Sequence, residues 1–204
     1  FGQELQKHKD FNYQAKFAEV MLNFLRANES NLASDEVRKE KPHINDAIKV
    51  AQDNSLWETC AALCEYNASV EVGIQEQIDS LKKAYEIIEQ NYPQQKRRLL
   101  NIRLQLGKIR RIAGQLVDAL SDFKKADALS SEISNVDLAE TASLSFELGA
   151  THLALGRYTD AKVILSNALD MVSSELDDSA PEVLQLRQAL AEHALYLGSY
   201  DTAE

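Results

Sequence analysis

A fixed interval of 42 residues runs through the second half of this chain. Gly114, Gly156 and Gly198 are separated by it, and so are Gly107, Gly149 and Ala191. Leu106, Leu148 and Leu190 keep the same spacing, as do Ala119, Ala161 and Ala203, and Leu116, Tyr158 and Tyr200. Phe123 pairs with Leu165 and Ala126 with Ala168. Five of the seven glycines fall on two positions of the unit, which chance does not arrange. A unit this short cannot bury its apolar face alone, so copies must stack on one another.

Each unit reads as two helices. Ile102, Leu106, Ile109 and Ala113 keep the spacing of one helical stripe. Gly107 and Gly149 fall inside such first helices, where glycine costs about 1 kcal/mol against alanine. A small residue there is explained if another helix packs closely. Gly114, Gly156 and Gly198 follow the stripe, where glycine can take the left-handed conformation that ends a helix. Tyr158, Ala161, Leu165, Ala168 and Leu169 then form the buried stripe of a second helix. Ser179-Ala180-Pro181-Glu182 reads as a capping box opening the next first helix, and Ser134 to Asp137 opens the preceding one in a similar way. Pro42, Pro93 and Pro181 all fall between helical stretches.

These residues resemble the tetratricopeptide repeat family. Leu106-Gly107, Leu148-Gly149 and Leu190-Ala191 match its first helix. Ala119/Phe123/Ala126 and Ala161/Leu165/Ala168 match its second. The period resembles the long variety found in kinesin light chains and bacterial regulatory proteins. Arg110, His152 and Ala194 depart from the pattern, because the family prefers an aromatic there. The resemblance implies an all-α fold, a right-handed superhelix of antiparallel helical hairpins. It divides the chain into residues 94–204, three such repeats with the last incomplete, and residues 1–93, irregular divergent or capping hairpins.

In that first part, Phe17, Val20, Met21, Phe24 and Leu25 form the stripe of a long helix. The segment around Ile44–Val50 is expected to pair with it. Ser55-Leu56-Trp57-Glu58 reads as a second capping box, opening a helix through Trp57, Ala61 and Cys64. Ile78, Leu81, Ala84, Tyr85 and Ile88 form the next stripe.

Composition excludes several function classes. Seven glycines and three prolines are too few for a many-stranded sandwich or barrel. No apolar run is long enough to cross a membrane. The net charge of −10 disfavours nucleic acid. That charge is uneven: residues 1–130 balance, while residues 131–204 hold 13 acids against Arg157, Lys162 and Arg187. Residues 94–115 hold Lys96, Arg97, Arg98, Arg103, Lys108, Arg110 and Arg111 and no acid. Such a run is either a solvated face or a contact surface for an acidic partner, internal or external.

No catalytic constellation is visible. There is no phosphate-binding glycine loop and no His-Glu-x-x-His. Cys60 and Cys64 lie four apart on a helix, which suits two core thiols and not a disulfide. His8, His43, His152 and His193 have no recurring ligand spacing, and Asp177-Asp178 sit in an acidic loop. No enzyme, metal or cofactor is expected.

The resemblance implies a groove lined by the first helices and built to bind a protein or peptide segment. Its positions are Asn101, Leu104, Lys108 and Arg111 in one repeat, Ser143, Phe146, Ala150 and Leu153 in the next, and Gln185, Gln188, Glu192 and Leu195 in the last. This row runs from basic through apolar to polar-acidic, and it suits an acidic segment with an apolar anchor. Gln105, Glu147 and Ala189 stand where the family's clamp for chaperone C-termini needs Asn, so that ligand class is disfavoured. The implied role is the sensory or regulatory N-terminal region of a larger protein, such as a bacterial signal-transduction protein. The alternative is a eukaryotic adaptor, of cargo-adaptor or histone-chaperone type. The cytoplasm and a bacterial periplasm fit equally. The third repeat stops at Tyr200–Glu204, five residues into its second helix. Leu186, Leu190 and Ala194 are then expected to lose cover, the chain to continue, and the open edge either to pair with another copy or to fray.

Overall fold

The computed structural model describes the backbone of residues 2–198 and the side chains of residues 11–198. Among the described residues the regular structure is helical throughout, with no strand. Two compact units divide the chain, Phe1–Gln95 and Lys96–Glu204.

The first unit contains α1 (Gly2–Ala27), α2 (Asp35–Lys39), α3 (Lys41–Asp53), α4 (Trp57–Val70) and α5 (Ile74–Asn91). Helix α1 packs on α3 and α4, and α4 and α5 form an antiparallel pair. The α5 stripe is buried as the spacing predicts, through Ile78, Leu81, Ala84, Tyr85 and Ile88. On α1 the buried face is Ala18, Met21, Leu22 and Leu25, and Val20 is 56% exposed. The stripe is therefore rotated from the expected one: Val20 belongs to the solvent side, and Ala18 and Leu22 complete the packed one.

Ser55 does not cap α4. The residue before Trp57 is Leu56, and no side chain caps the helix. Ser55 instead has φ +56° and closes α3 from behind. The Leu56 N–H donates to the Ala51 carbonyl at 2.8 Å, across five residues. This is the closure that glycine usually provides, with serine in its place. Pro42 also lies within a helix, in the first turn of α3, where its missing N–H costs nothing.

The second unit contains α6 (Lys96–Ile112), α7 (Leu116–Ser131), α8 (Leu138–Ala154), α9 (Tyr158–Ser173) and α10 (Pro181–Tyr196). Helices α6 and α8 are both 17 residues long and offset by 42; α7 and α9 are both 16 long with the same offset. Gly114, Gly156 and Gly198 all have positive φ, between 71° and 75°. Behind the first two, Gln115 N–H donates to Arg110 O at 2.8 Å and Arg157 N–H to His152 O at 2.9 Å. The repeated glycines thus end the first helices, as the sequence predicts.

The interior glycines mark the crossing points of the hairpins. A Cβ added to Gly107 would lie 2.7 Å from Cδ1 and 2.8 Å from Cζ of Phe123. One added to Gly149 would lie 2.5 Å from Cγ of Leu165. Phe123 and Leu165 are fully buried, and they are themselves one repeat apart. So the glycine on the first helix and the large residue on the second form one joint, built twice.

The capping box read at Ser179 is absent. Ala180 precedes α10, and the Ser179 hydroxyl and N–H both donate to Asp177 Oδ1, at 2.6 and 2.9 Å. Asp137 precedes α8, and its side chain makes no cap either. At α10 the first helical position is taken by Pro181. Leu186 and Ala194 are buried and Leu190 packs against the α8–α9 core, so the expected loss of cover does not occur there. The apolar residues that α10 exposes are Leu184, Leu195 and Tyr196. Tyr200–Glu204 lies outside the described residues.

Candidate partner-binding face

First helices line up side by side in the second unit: α6 packs on α8, and α8 on α10. Helices α7 and α9 cover their other side. The residues singled out above all lie on α6, α8 and α10. Asn101 is exposed, and Leu104, Lys108 and Arg111 are half-buried. On α8, Ser143, Phe146 and Ala150 are half-buried, while Leu153 belongs to the core and is unavailable to a partner. On α10, Gln185, Gln188, Glu192 and Leu195 are exposed. Gln188 and Glu192 hydrogen-bond each other at 3.2 Å.

The acid-free run of α6 is engaged inside the unit. Arg103 and Arg110 both donate to Asp122 of α7, at 2.8 and 2.5 Å. Asp122 is 1% exposed, and the two guanidinium groups supply the partners its carboxylate would otherwise lose on leaving water. Arg111 Nε donates to Glu147 of α8 at 2.9 Å, and Lys108 Nζ lies 3.9 Å from the same carboxylate. Arg97 reaches Glu140 at 2.8 Å and the Asn135 carbonyl at 3.0 Å, and Lys96 reaches Glu132. Between the two readings of this run, the internal contact surface is the one realised. Neither Asp122 nor Glu147 stands out in the sequence as its counterpart. The available signal is the departure at Arg110: a guanidinium where an aromatic is usual needs a carboxylate nearby.

His152 makes the same substitution one repeat later. Its Nδ1 lies 3.4 Å from Asp160 Oδ2, beyond a good hydrogen bond for a nearly buried ring. Burial pushes its pKa down, Asp160 opposes this, and Arg157 and Lys124 add to it. Cys60 and Cys64 are free and buried in the first unit. The hydrogen bond it donates to Cys60 and then burial hold Cys64 protonated well above the usual thiol range. Asp177 is held below the usual carboxylate range by the hydroxyl and N–H of Ser179. Among the described residues no cluster of His, Cys, Asp or Glu could hold a metal ion, and no helix is long and apolar enough to cross a membrane.

Two hollows open elsewhere on the second unit. One of about 450 Å³ is lined by Val117, Leu120, Ser121, Lys124, Lys125 and Arg157, with Ala128 at its edge. Another, of about 590 Å³, shares Arg157 and adds Tyr158, Asp160, Lys162 and His193. The rings of Tyr158 and His193 meet edge-on there, 6.3 Å apart.

The sequence matches no protein-family model and no curated protein. Its fold does match solved structures. The putative kinesin light chain nearly identical TPR-like repeats of Podosopora anserina superpose with a TM-score of 0.66, at 15% identity, over 93% of this chain and 90% of that one. A point-substituted form of those repeats gives 0.67, again at 15% identity, over 94% and 91%. BtubC (BKLC) from P. vanneervenii gives 0.63 at 14% identity, over 95% of this chain and 86% of that one. Identity this low carries the architecture and nothing finer. In fold, the chain is a tetratricopeptide-like array of helical hairpins.

Proposed function

We propose that this chain is a protein- or peptide-binding scaffold whose ligand lies across α6, α8 and α10. The carrying observation is the side-by-side packing of these helices, with Leu104 of α6 and Phe146 and Ala150 of α8 left half-buried. Half-buried apolar side chains flanked by polar ends suit an extended segment with an apolar anchor. Any acidic part of that segment competes with Glu147 for Lys108 and Arg111. Affinity therefore rests chiefly on the apolar middle, with charge setting orientation. Within this reading, the chain serves as the sensory or regulatory region of a larger signalling protein. That context draws on fold-level analogy.

The test is selection of peptides from a displayed library against the purified chain, followed by titration of the winners. Phe146→Ala should weaken them at least about tenfold, as expected for an interface anchor. Lys108→Ala with Arg111→Ala should weaken them further, and more so at low salt. Winners indifferent to all three substitutions would move the site off this face.

A further inference from the structure

The cations of the second unit fall into two sets. Lys96, Arg97, Arg103, Lys108, Arg110 and Arg111 of α6 and Arg187 of α10 pair with carboxylates of the same unit. Lys124, Lys125, Arg157 and Lys162 make no ion pair among the described residues. These four are exposed and belong to the second-helix side, on α7, the α8–α9 turn and α9. Lys124, Lys125 and Arg157 border one hollow, which no carboxylate lines. Its floor is apolar: Leu120 is buried beneath it, and Val117 beside it is 70% exposed. Three of these four cations thus surround one apolar hollow.

We propose that this hollow is a second docking surface, and that it takes an acidic peptide segment carrying an aliphatic anchor. Charge complementarity identifies the ligand. Three cations without internal partners attract carboxylates, whereas Lys108 and Arg111 already hold one. The hollow of about 450 Å³ accommodates a leucine or valine side chain against Val117 and Leu120. Its position behind the first helices leaves the opposite face free, so two ligands could be held at once.

The probe is a fluorescein-labelled glutamate-rich peptide with one central leucine, titrated by anisotropy into the intact chain. Lys124→Glu, Lys125→Glu and Arg157→Glu together should weaken binding about tenfold or more, the summed effect of three surface charges reversed. Lys39→Glu with Lys49→Glu, two exposed cations of the first unit, should leave it unchanged. A leucine-free peptide should bind several-fold more weakly. Circular dichroism and a milder triple alanine variant separate lost binding from lost folding. The proposal is overturned if the peptide does not bind, if binding survives the reversal, or if it falls as much with the Lys39 and Lys49 control. It is equally overturned if the reversal abolishes only binding to phosphatidylserine vesicles, or only self-association of the chain.

Discussion

Gly107→Ala pits helix propensity against packing, and the structure decides the sign. Alanine in an exposed helix interior gains about 1 kcal/mol over glycine. At Gly107 the new methyl would overlap the Phe123 ring, with Cδ1 at 2.7 Å and Cζ at 2.8 Å. A ring cannot bend away as a flexible chain end can, and Phe123 has no exposed surface into which to shift. Overpacking of this kind costs about 1–3 kcal/mol, so the net change is a loss of up to about 2 kcal/mol. Urea unfolding measures it. Phe123→Leu is itself destabilising, but combined with Gly107→Ala it should relieve the overlap, giving a favourable coupling of about 1 kcal/mol or more. The reasoning fails if Gly107→Ala stabilises the protein by about 1 kcal/mol, as propensity alone would have it, or if the cycle shows no coupling.

Asp122→Ala removes the acceptor shared by Arg103 and Arg110 and leaves two cations in a nearly closed site. A loss of about 3–5 kcal/mol is expected in denaturant titration, and a loss under about 1 kcal/mol would show that water reaches the guanidinium groups. Ser55→Gly should stabilise by about 0.5–1 kcal/mol, because glycine takes the φ of +56° without the strain serine bears. An unchanged or lowered unfolding midpoint would contradict this. His152 governs a pH effect: its folded pKa lies below the ordinary 6.5, so the unfolded chain binds the proton more readily. Stability is full above about pH 6.5 and declines as the pH falls towards 5, before most carboxylates titrate. His152→Gln should flatten that part of the profile; an unaltered slope would assign the decline to other groups.

Helix positions and turns in residues 94–198 were legible because a repeated constraint is written repeatedly. The glycines at 114, 156 and 198 can adopt a backbone angle few residues tolerate, and those at 107 and 149 spare a volume no side chain fits. Residues 1–93 were less legible because each feature occurs once. Nothing in the sequence separates a serine that starts a helix from one that ends the previous helix, and Ser55 does the second. Ser179 misleads for a related reason: Asp177 competes for its hydroxyl. The candidate face was legible as positions on helices, but not as charge. Which carboxylate satisfies Lys108 and Arg111 depends on how α6 meets α8, and Glu147 lies 36 residues beyond Arg111.

The pairing of α6 with Asp122 and Glu147 also limits what recombination can do with this array. Helical hairpins that meet only through shape can be duplicated, deleted or reordered, since each presents a similar apolar side to the next. The α6–α7 hairpin is not neutral in that sense. Placed before a hairpin without an acid at the position of Glu147, it would bring Arg111 against a neighbour that offers no carboxylate. Placed after one, it would present no basic helix to the hairpin that had lost it. Order along this array is therefore encoded in ions, and a duplication of α6 and α7 alone would be selected against unless a matching acid arose in the hairpin that follows.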